Sequence, residues 1–322
     1  MKIVVAGEGA FGRKHLEALS NIPDVEVVSL AGGVADATKA VAADFSIPHW
    51  SLDLGECLAQ PGVDAAILVT PTPVHAAQAM QVLDAGKHVF VEIPMADNIQ
   101  DSRALAAKVR ETGLTAMVGH VRRFNPPHQW VQRQIAKGEL SIQQMDIQTF
   151  FFRRSNLNAL GEPRSWTDHL LWHHAAHSID LFMYQTGEAI TDVYAVAGPV
   201  HPDLGIYMDM GIVLRTGSGK ICNVSLSFNN NGPLGTEFRY ICDNGTFTAY
   251  YDDMKDGHGN TIDVANVDVS SNGIELMERE FFAAIKEARE PNGSVGQILP
   301  TMEVMEKIQQ LVKGQITSTQ SG

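Results

Sequence analysis

Short β-branched runs alternate with helix-patterned stretches over the first 120 residues. Ile3 to Ala6 reads as a strand and Phe11 to Ser20 as a helix. Val25 to Ala31 is a second strand, followed by an Ala-rich helix to about Asp44. Further strands are expected at Ala65–Thr70, His88–Glu92 and Thr115–Gly119. Helices are expected at Val74–Ala85, ended by Gly86, and at Asn98–Thr112, closed by Gly113. Near-continuous apolar strands alternating with helices imply a parallel sheet covered on both faces.

Around residue 120 the rhythm changes. A helix follows Pro126-Pro127 and ends at Gly138. Strand-like runs then predominate: 144–153, 192–197, 208–214, 220–228, 236–242 and 246–251. Several alternate with period two, and turn signals such as Asp243-Asn244-Gly245 separate them, which predicts a mostly antiparallel sheet with one open face. One helix, Trp166–Tyr184, interrupts the strands. Two more, near 273–289 and 301–312, precede a frayed tail at Thr317–Gly322. The fold class is therefore an α/β N-terminal domain at 1–121 joined to an α+β C-terminal domain at 122–322.

Composition changes this picture little. The chain has 322 residues, 44% hydrophobic and 19% charged, the size of two globular domains. No apolar run is long enough for a membrane span. The N-terminus reads as a strand and not as a signal peptide. Three cysteines, Cys57, Cys222 and Cys242, have no metal-type spacing and fit a reducing cytoplasm. A net charge of −13 argues against nucleic-acid binding. Against that acidity, His120 to Arg164 holds seven Lys/Arg and three acids.

Gly7-Glu8-Gly9-Ala10-Phe11-Gly12 stands between the first strand and the first helix. In that context Gly7 permits a tight turn, Gly9 a close backbone approach to a pyrophosphate, and Gly12 close helix–strand packing. The helix N-terminus offers N–H groups to phosphates. This makes 1–121 a Rossmann-type, dinucleotide-binding domain. The second strand ends Leu30-Ala31-Gly32-Gly33-Val34-Ala35-Asp36, with no acid or base where a cofactor's ribose is read. With nothing there to repel a 2′-phosphate, and Arg13 nearby, NADP is expected over NAD.

His169, His173 and His177 are four apart and would share one helix face, with Asp180 one turn beyond. Three readings compete: histidines without a role, a metal site, or acid–base chemistry. No Glu stands in the arrangement of a metallohydrolase, so no metal is expected. Oxidising an alcohol needs its proton removed as hydride leaves, which imidazole can do. A catalytic cysteine is a further option, disfavoured because Cys222 and Cys242 sit inside strand-like runs.

These motifs resemble the Gfo/Idh/MocA oxidoreductase family. The matching stretches are the glycine turn, Thr70-Pro71-Thr72 with His75, Val91-Glu92-Ile93-Pro94, Arg122-Arg123-Phe124-Asn125-Pro126 and the histidine helix. The resemblance implies a cofactor site drawn from Gly7, Gly9, Ala10, Phe11, Gly12, Gly32, Gly33, Thr70, Pro71, Thr72, His75, Glu92, Ile93 and His120. It implies His177 as the catalytic histidine. Ile93 stands where the family carries a lysine, and His173 where it carries an aspartate, so the common lysine-assisted proton transfer cannot operate. His173 is expected to share that work, and Asp180 to orient the His177 ring.

A narrower likeness runs through 161–169, Trp172-His173-His174-Ala175-Ala176-His177 and Ser227-Phe228-Asn229-Asn230. It implies a dicarboxylate that cyclises to a hemiacetal and is oxidised with NADP. Members similar in this way carry Ser-Arg where this chain has Gly32-Gly33. Guanidinium pairs bidentately with carboxylate, so Arg122, Arg123, Arg153, Arg154 and Arg164, with His169, are the candidate substrate-binding residues. The family resemblance also implies that 122–322 binds the substrate and associates through its open sheet as a homodimer or homotetramer. Two alternatives stand beside this reading: a sugar or inositol dehydrogenase of the same fold, and a non-catalytic dinucleotide sensor.

Overall fold

β1 (Lys2–Ala6) is buried along its whole length after Lys2, as a central parallel strand must be. The structure, a computed structural model, describes residues 1–157, 161, 163–164, 166–264 and 273–319. They form two compact units, Met1–His120 with Val269–Leu299 and Val121–Asp268 with Pro300–Gly322.

In the first unit β1 leads into α1 (Ala10–Leu19), β2 (Glu26–Ala31), α2 (Ala35–Asp44), β3 (His49–Ser51), α3 (Leu54–Leu58) and β4 (Val63–Leu68). α4 (His75–Asp84), β5 (His88–Val91), α5 (Ile99–Thr112) and β6 (Ala116–Val118) follow. The strands form one parallel sheet in the order β3-β2-β1-β4-β5-β6. The chain leaves β1 toward β2 and returns on its other side at β4. The glycine turn at the end of β1 thus lies at the switch point, where such sheets bind ligands. β3 and α3 have too few residues to show a period and were absent from the sequence pattern. α5 shows why a helix forms where it does: the Asn98 side chain accepts from Asp101 N at 2.8 Å, and Gly113 closes the helix at φ +66°.

The second unit holds α6 (Pro126–Ala136), β7 (Ile142–Phe150), a π-helical turn (Leu170–Ala175), α7 (Ala176–Thr186) and β8 (Ile190–Ala197). β9 (Asp209–Thr216), β10 (Ile221–Ser227), β11 (Gly235–Cys242), β12 (Gly245–Tyr250) and β13 (Asp253–Asp256) complete its sheet. The order is β13-β12-β11-β7-β10-β9-β8, antiparallel except for the β7–β10 pair. Alternate residues of β9 and β10 are buried, which leaves the other face open.

Three sequence expectations change. The helix expected from Trp166 begins at Leu170, and its first turn is π-helical. Residues 274–287 form α8, which the sequence assigned to the C-terminal domain. It belongs to the first unit, because its apolar side carries Phe281 to within 5.9 Å of Phe90 on β5, ring centre to centre. α9 (Val295–Thr319) continues past the expected start of the tail, and residues 320–322 lie outside the described residues. Among the described residues no helix is long and apolar enough to cross a membrane.

Candidate active site

The glycine turn has the form that a dinucleotide needs. Gly7 has φ +121°, and a Cβ there would lie 2.3 Å from Val69 O. A Cβ on Gly12 would lie 1.9 Å from Gly7 O. These two glycines are therefore required by packing alone. At Gly9 a Cβ would meet nothing within 4 Å, so the space beside it is open to a ligand. Gly9 also caps α1 without a side-chain hydrogen bond, and Ala10 and Phe11 are exposed. The first N–H groups of α1 thus remain available to an anion.

Around this turn the expected contacts divide. The Thr70 hydroxyl donates to Gln78 Oε1 at 2.5 Å, Pro71 is exposed and Thr72 buried. His75 is buried, with Nδ1 2.8 Å from Pro94 O and Nε2 2.7 Å from Thr70 O. Both ring nitrogens brace neighbouring backbone, so His75 supports the cofactor loop and does not present itself to a ligand. His120 is likewise buried.

Glu92, at the end of β5, is held from inside. Its Oε1 lies 3.1 Å from His15 Nε2, and its Oε2 accepts from Ile93 N at 3.2 Å. A Cβ on Gly119 would lie 2.4 Å from Glu92 Oε1, so a larger residue there would displace this carboxylate from His15. His15 Nδ1 in turn lies 2.7 Å from Glu278 Oε1 on α8. Burial lowers the His15 pKa, but hydrogen bonds to Glu278 and Glu92 outweigh it and raise it to about 9. Burial raises Glu278 to about 7 against the opposing pull of His15. The histidine is therefore a buried cation, and neither it nor Glu278 stood out in the sequence.

Both grounds for preferring NADP also change. Arg13 is paired with Asp44 at 2.9 Å. A carboxylate also reaches the end of β2 from the glycine turn: Glu8 Oε1 accepts from Gly33 N and Val34 N, each at 2.9 Å.

In the second unit the π turn alters the histidine face. Such a turn takes an extra residue, so side chains four apart no longer stack along one stripe. His169 precedes the helix and donates its backbone N–H to His173 Nδ1 at 3.0 Å. The two rings stack with centroids 6.0 Å apart, and Trp166 covers His173 at 5.1 Å. Because His173 Nδ1 accepts, the neutral ring carries its proton on Nε2. His177 lies one residue into α7 and is half-buried. Asp180 is committed elsewhere: Arg123 Nε and Nη2 donate to its two oxygens at 2.8 and 2.7 Å. That pair is 4% and 1% exposed, and the guanidinium lies 4.4 Å from the Tyr184 ring centre. Arg123 is accordingly an internal brace and not a substrate contact, and Asp180 is its partner.

The remaining arginines gather differently. Arg153 and Arg164 both donate to Asp168, Arg164 at 2.8 Å. Two guanidinium groups sharing one carboxylate leave a net positive charge. Arg153 lies over the Phe228 ring at 5.1 Å. Beside it, His174 sits between Phe151 and Phe228, at 5.1 and 5.3 Å. Burial lowers the His174 pKa to about 4, helped by Arg153 and Arg122 against Asp168. His174 is thus neutral at working pH. Arg154 donates to Arg153 O at 2.8 Å and lies over Phe152. Arg122 donates to Asn125 Oδ1 at 3.2 Å and faces Phe238 and Tyr251. Burial raises Cys222 far above the usual thiol range and Cys242 to about 12, so neither is a thiolate near neutrality. Among the described residues no cluster of three or more His, Cys, Asp or Glu could hold a metal.

Residues 1–120 match the family model described as "Oxidoreductase family, NAD-binding Rossmann fold", and residues 126–268 match "Bacterial oxidoreductases, C-terminal". The chain is 58% identical over 309 residues to 4-carboxy-2-hydroxymuconate-6-semialdehyde dehydrogenase of Sphingobium sp. (strain SYK-6), covering 96% of this chain and 98% of that protein. The chain belongs to the Gfo/Idh/MocA family. As a member it is an oxidoreductase with an N-terminal NAD-binding Rossmann fold. This Gfo/Idh/MocA protein is also 29% identical over 197 residues to scyllo-inositol 2-dehydrogenase (NAD(+)) of Bacillus subtilis (strain 168), which covers 60% of this chain and 56% of that one. Its fold matches the crystal structure of a putative myo-inositol dehydrogenase from Sinorhizobium meliloti 1021 with TM-score 0.81. That match has 21% identity and covers 98% of both chains.

Proposed function

We propose that this chain oxidises the cyclic hemiacetal of 4-carboxy-2-hydroxymuconate-6-semialdehyde to 2-pyrone-4,6-dicarboxylate, a step of aromatic degradation by protocatechuate 4,5-cleavage, with a nicotinamide dinucleotide. The observation that carries this reading is the 58% identity, which extends over nearly the whole of both chains. The residues support it. A dicarboxylate needs positive, fork-shaped donors. Arg153 and Arg164 retain a net charge beside Asp168, and Arg122 and Arg154 add two more guanidinium groups. A neutral polyol has no use for such a cluster.

The open space at Gly9 and the uncapped start of α1 are the places for the pyrophosphate. The bound dinucleotide supplies the hydride acceptor. His177 takes the proton from the hemiacetal hydroxyl as the carbon–hydrogen electron pair departs, and the carbon becomes the lactone carbonyl. His173, with Nδ1 occupied by the His169 N–H, assists as a donor through Nε2. The arginines hold the carboxylates, which fixes the hydroxyl and the departing hydrogen in place. Ile93 takes no part in proton transfer.

The reading includes a homodimer or homotetramer formed through the open sheet face, where Tyr194, Val196 and Val213 are 67%, 63% and 41% exposed. It places the protein in the cytoplasm, where its unpaired cysteines remain reduced. The test follows reduced-nicotinamide absorbance with NAD and with NADP on the hemiacetal, on inositols and on sugars. Turnover of the hemiacetal at least about tenfold above any polyol is expected. Preference for a polyol would replace this reading with an inositol-type activity. Cofactor binding without turnover of any substrate would replace it with a sensor.

A further inference from the structure

Glu8 occupies the second position of the glycine turn, and its side chain reaches across to the end of β2. There its Oε1 accepts from the backbone N–H groups of Gly33 and Val34. In a doubly wound sheet the end of β2 is where the adenosine ribose is read. An acid there accepts from the ribose hydroxyls, while a base accommodates a 2′-phosphate. The β2 strand ends in Ala31-Gly32-Gly33 and carries neither. The fold brings the acid in from the end of β1.

The surroundings act in the same direction. Two adjacent backbone N–H groups, Gly33 and Val34, form the kind of donor pair that a phosphate would use. Glu8 has already taken both. Asp36 in the first turn of α2 places a second negative charge close by. Arg13, the cation on the neighbouring face of α1, is paired with Asp44 at the far end of α2. Space is not what excludes a base. A Cβ on Gly33 would meet only Glu8 Oε1, at an ordinary 3.6 Å. Gly32 differs: a Cβ there would lie 1.9 Å from Thr38 Oγ1, so its glycine is a packing requirement.

We propose that Glu8 is the residue that selects NAD over NADP, accepting from the ribose hydroxyls and denying a 2′-phosphate both its donors and a favourable charge. The proposal rests on the reading of the turn as a dinucleotide site and is independent of the substrate. It reverses the preference that the sequence alone suggested.

The test measures dissociation constants of NADH and NADPH by nucleotide fluorescence on the full chain, together with kcat/KM for both oxidised cofactors. NADH is expected to bind more than about tenfold tighter. Glu8→Gln should narrow that ratio by about tenfold or more, chiefly by tightening NADPH. Adding Gly33→Arg to it should invert the ratio. Gly33→Arg alone leaves the Glu8 carboxylate in place and should narrow the ratio less, which keeps the test usable if Glu8→Gln folds poorly. Equal affinities in the unaltered chain would overturn the proposal. So would a Glu8→Gln chain that loses both nucleotides by the same factor, the signature of a purely structural tie between β1 and β2. A chain that binds NADH selectively but leaves the semialdehyde untouched supports the role of Glu8 and overturns only the proposed reaction.

Discussion

His15 Nδ1 lies 2.7 Å from Glu278 Oε1, with both side chains fully buried. The pair joins α1, which follows the glycine turn, to α8, which lies more than 250 residues along the chain. Through His15 Nε2 it also steadies Glu92. Phe11 and Phe90 meet the His15 ring edge-on, and Phe281 in turn meets Phe90. Glu275, paired with Arg279, is the other charged neighbour that acts on Glu278.

Both members of this pair titrate above their ordinary values, His15 at about 9 and Glu278 at about 7. The folded chain therefore binds more protons than the unfolded chain as pH rises from the unfolded Glu278 range to about 9. Stability from these groups is fully present at lower pH and is lost as pH rises through 7 and then 9. His174 is depressed to about 4 and works in the opposite sense, but only below about pH 6.5. Melting temperatures measured between pH 7 and 9.5 should fall in the unaltered chain. They should fall much less in the double variant His15→Gln with Glu278→Gln, which carries neither raised group and starts lower. Parallel slopes for the two chains would contradict the assignment.

The Arg123–Asp180 pair makes a second expectation. Removing one partner of a buried ion pair strands the other charge and costs about 3–5 kcal/mol. Arg123→Met should therefore lose that much in denaturant unfolding, because Asp180 is 1% exposed and loses both guanidinium donors. Arg123→Met with Asp180→Leu should recover most of the loss, since two apolar side chains leave no charge behind. A single-variant loss below about 1 kcal/mol would show that the pair is not the brace described.

The sequence made the two sheets legible because their strands carry two distinct signals. β1, β4 and β5 are near-continuous apolar runs broken only at Lys2, Asp64 and His88, whereas β9 and β10 alternate. The glycine turn was legible because its spacing is dictated by contacts only a few residues away. What stayed hidden depends on distance in sequence. Glu278 meets His15 only through the docking of α8, and Glu8 reaches Gly33 only because β1 and β2 pair in register. Asp180 follows His177 at helical spacing, which suggested an orienting role, but the fold gives both its oxygens to Arg123. The π turn was hidden for a related reason: counting by four assumes an α-helix, and one extra residue per turn redistributes the histidines.

The last expectation separates proton transfer from substrate holding. His177 is assigned the general base, a role usually worth about 10²–10⁴ in rate. His177→Ala should lower kcat by that factor with little change in KM, because the arginines still hold the carboxylates. Arg153→Met should do the reverse. It removes one of the two guanidinium groups on Asp168, so the cluster loses its surplus positive charge and KM should rise by roughly tenfold or more. Its effect on kcat should stay smaller than its effect on KM. Asp168→Asn serves as the control, since it adds net positive charge and should not raise KM through charge alone. Steady-state kinetics on the hemiacetal decide both points. A His177→Ala loss below threefold would remove that residue from the chemistry. An unchanged KM in Arg153→Met would move the carboxylate site to Arg122 and Arg154.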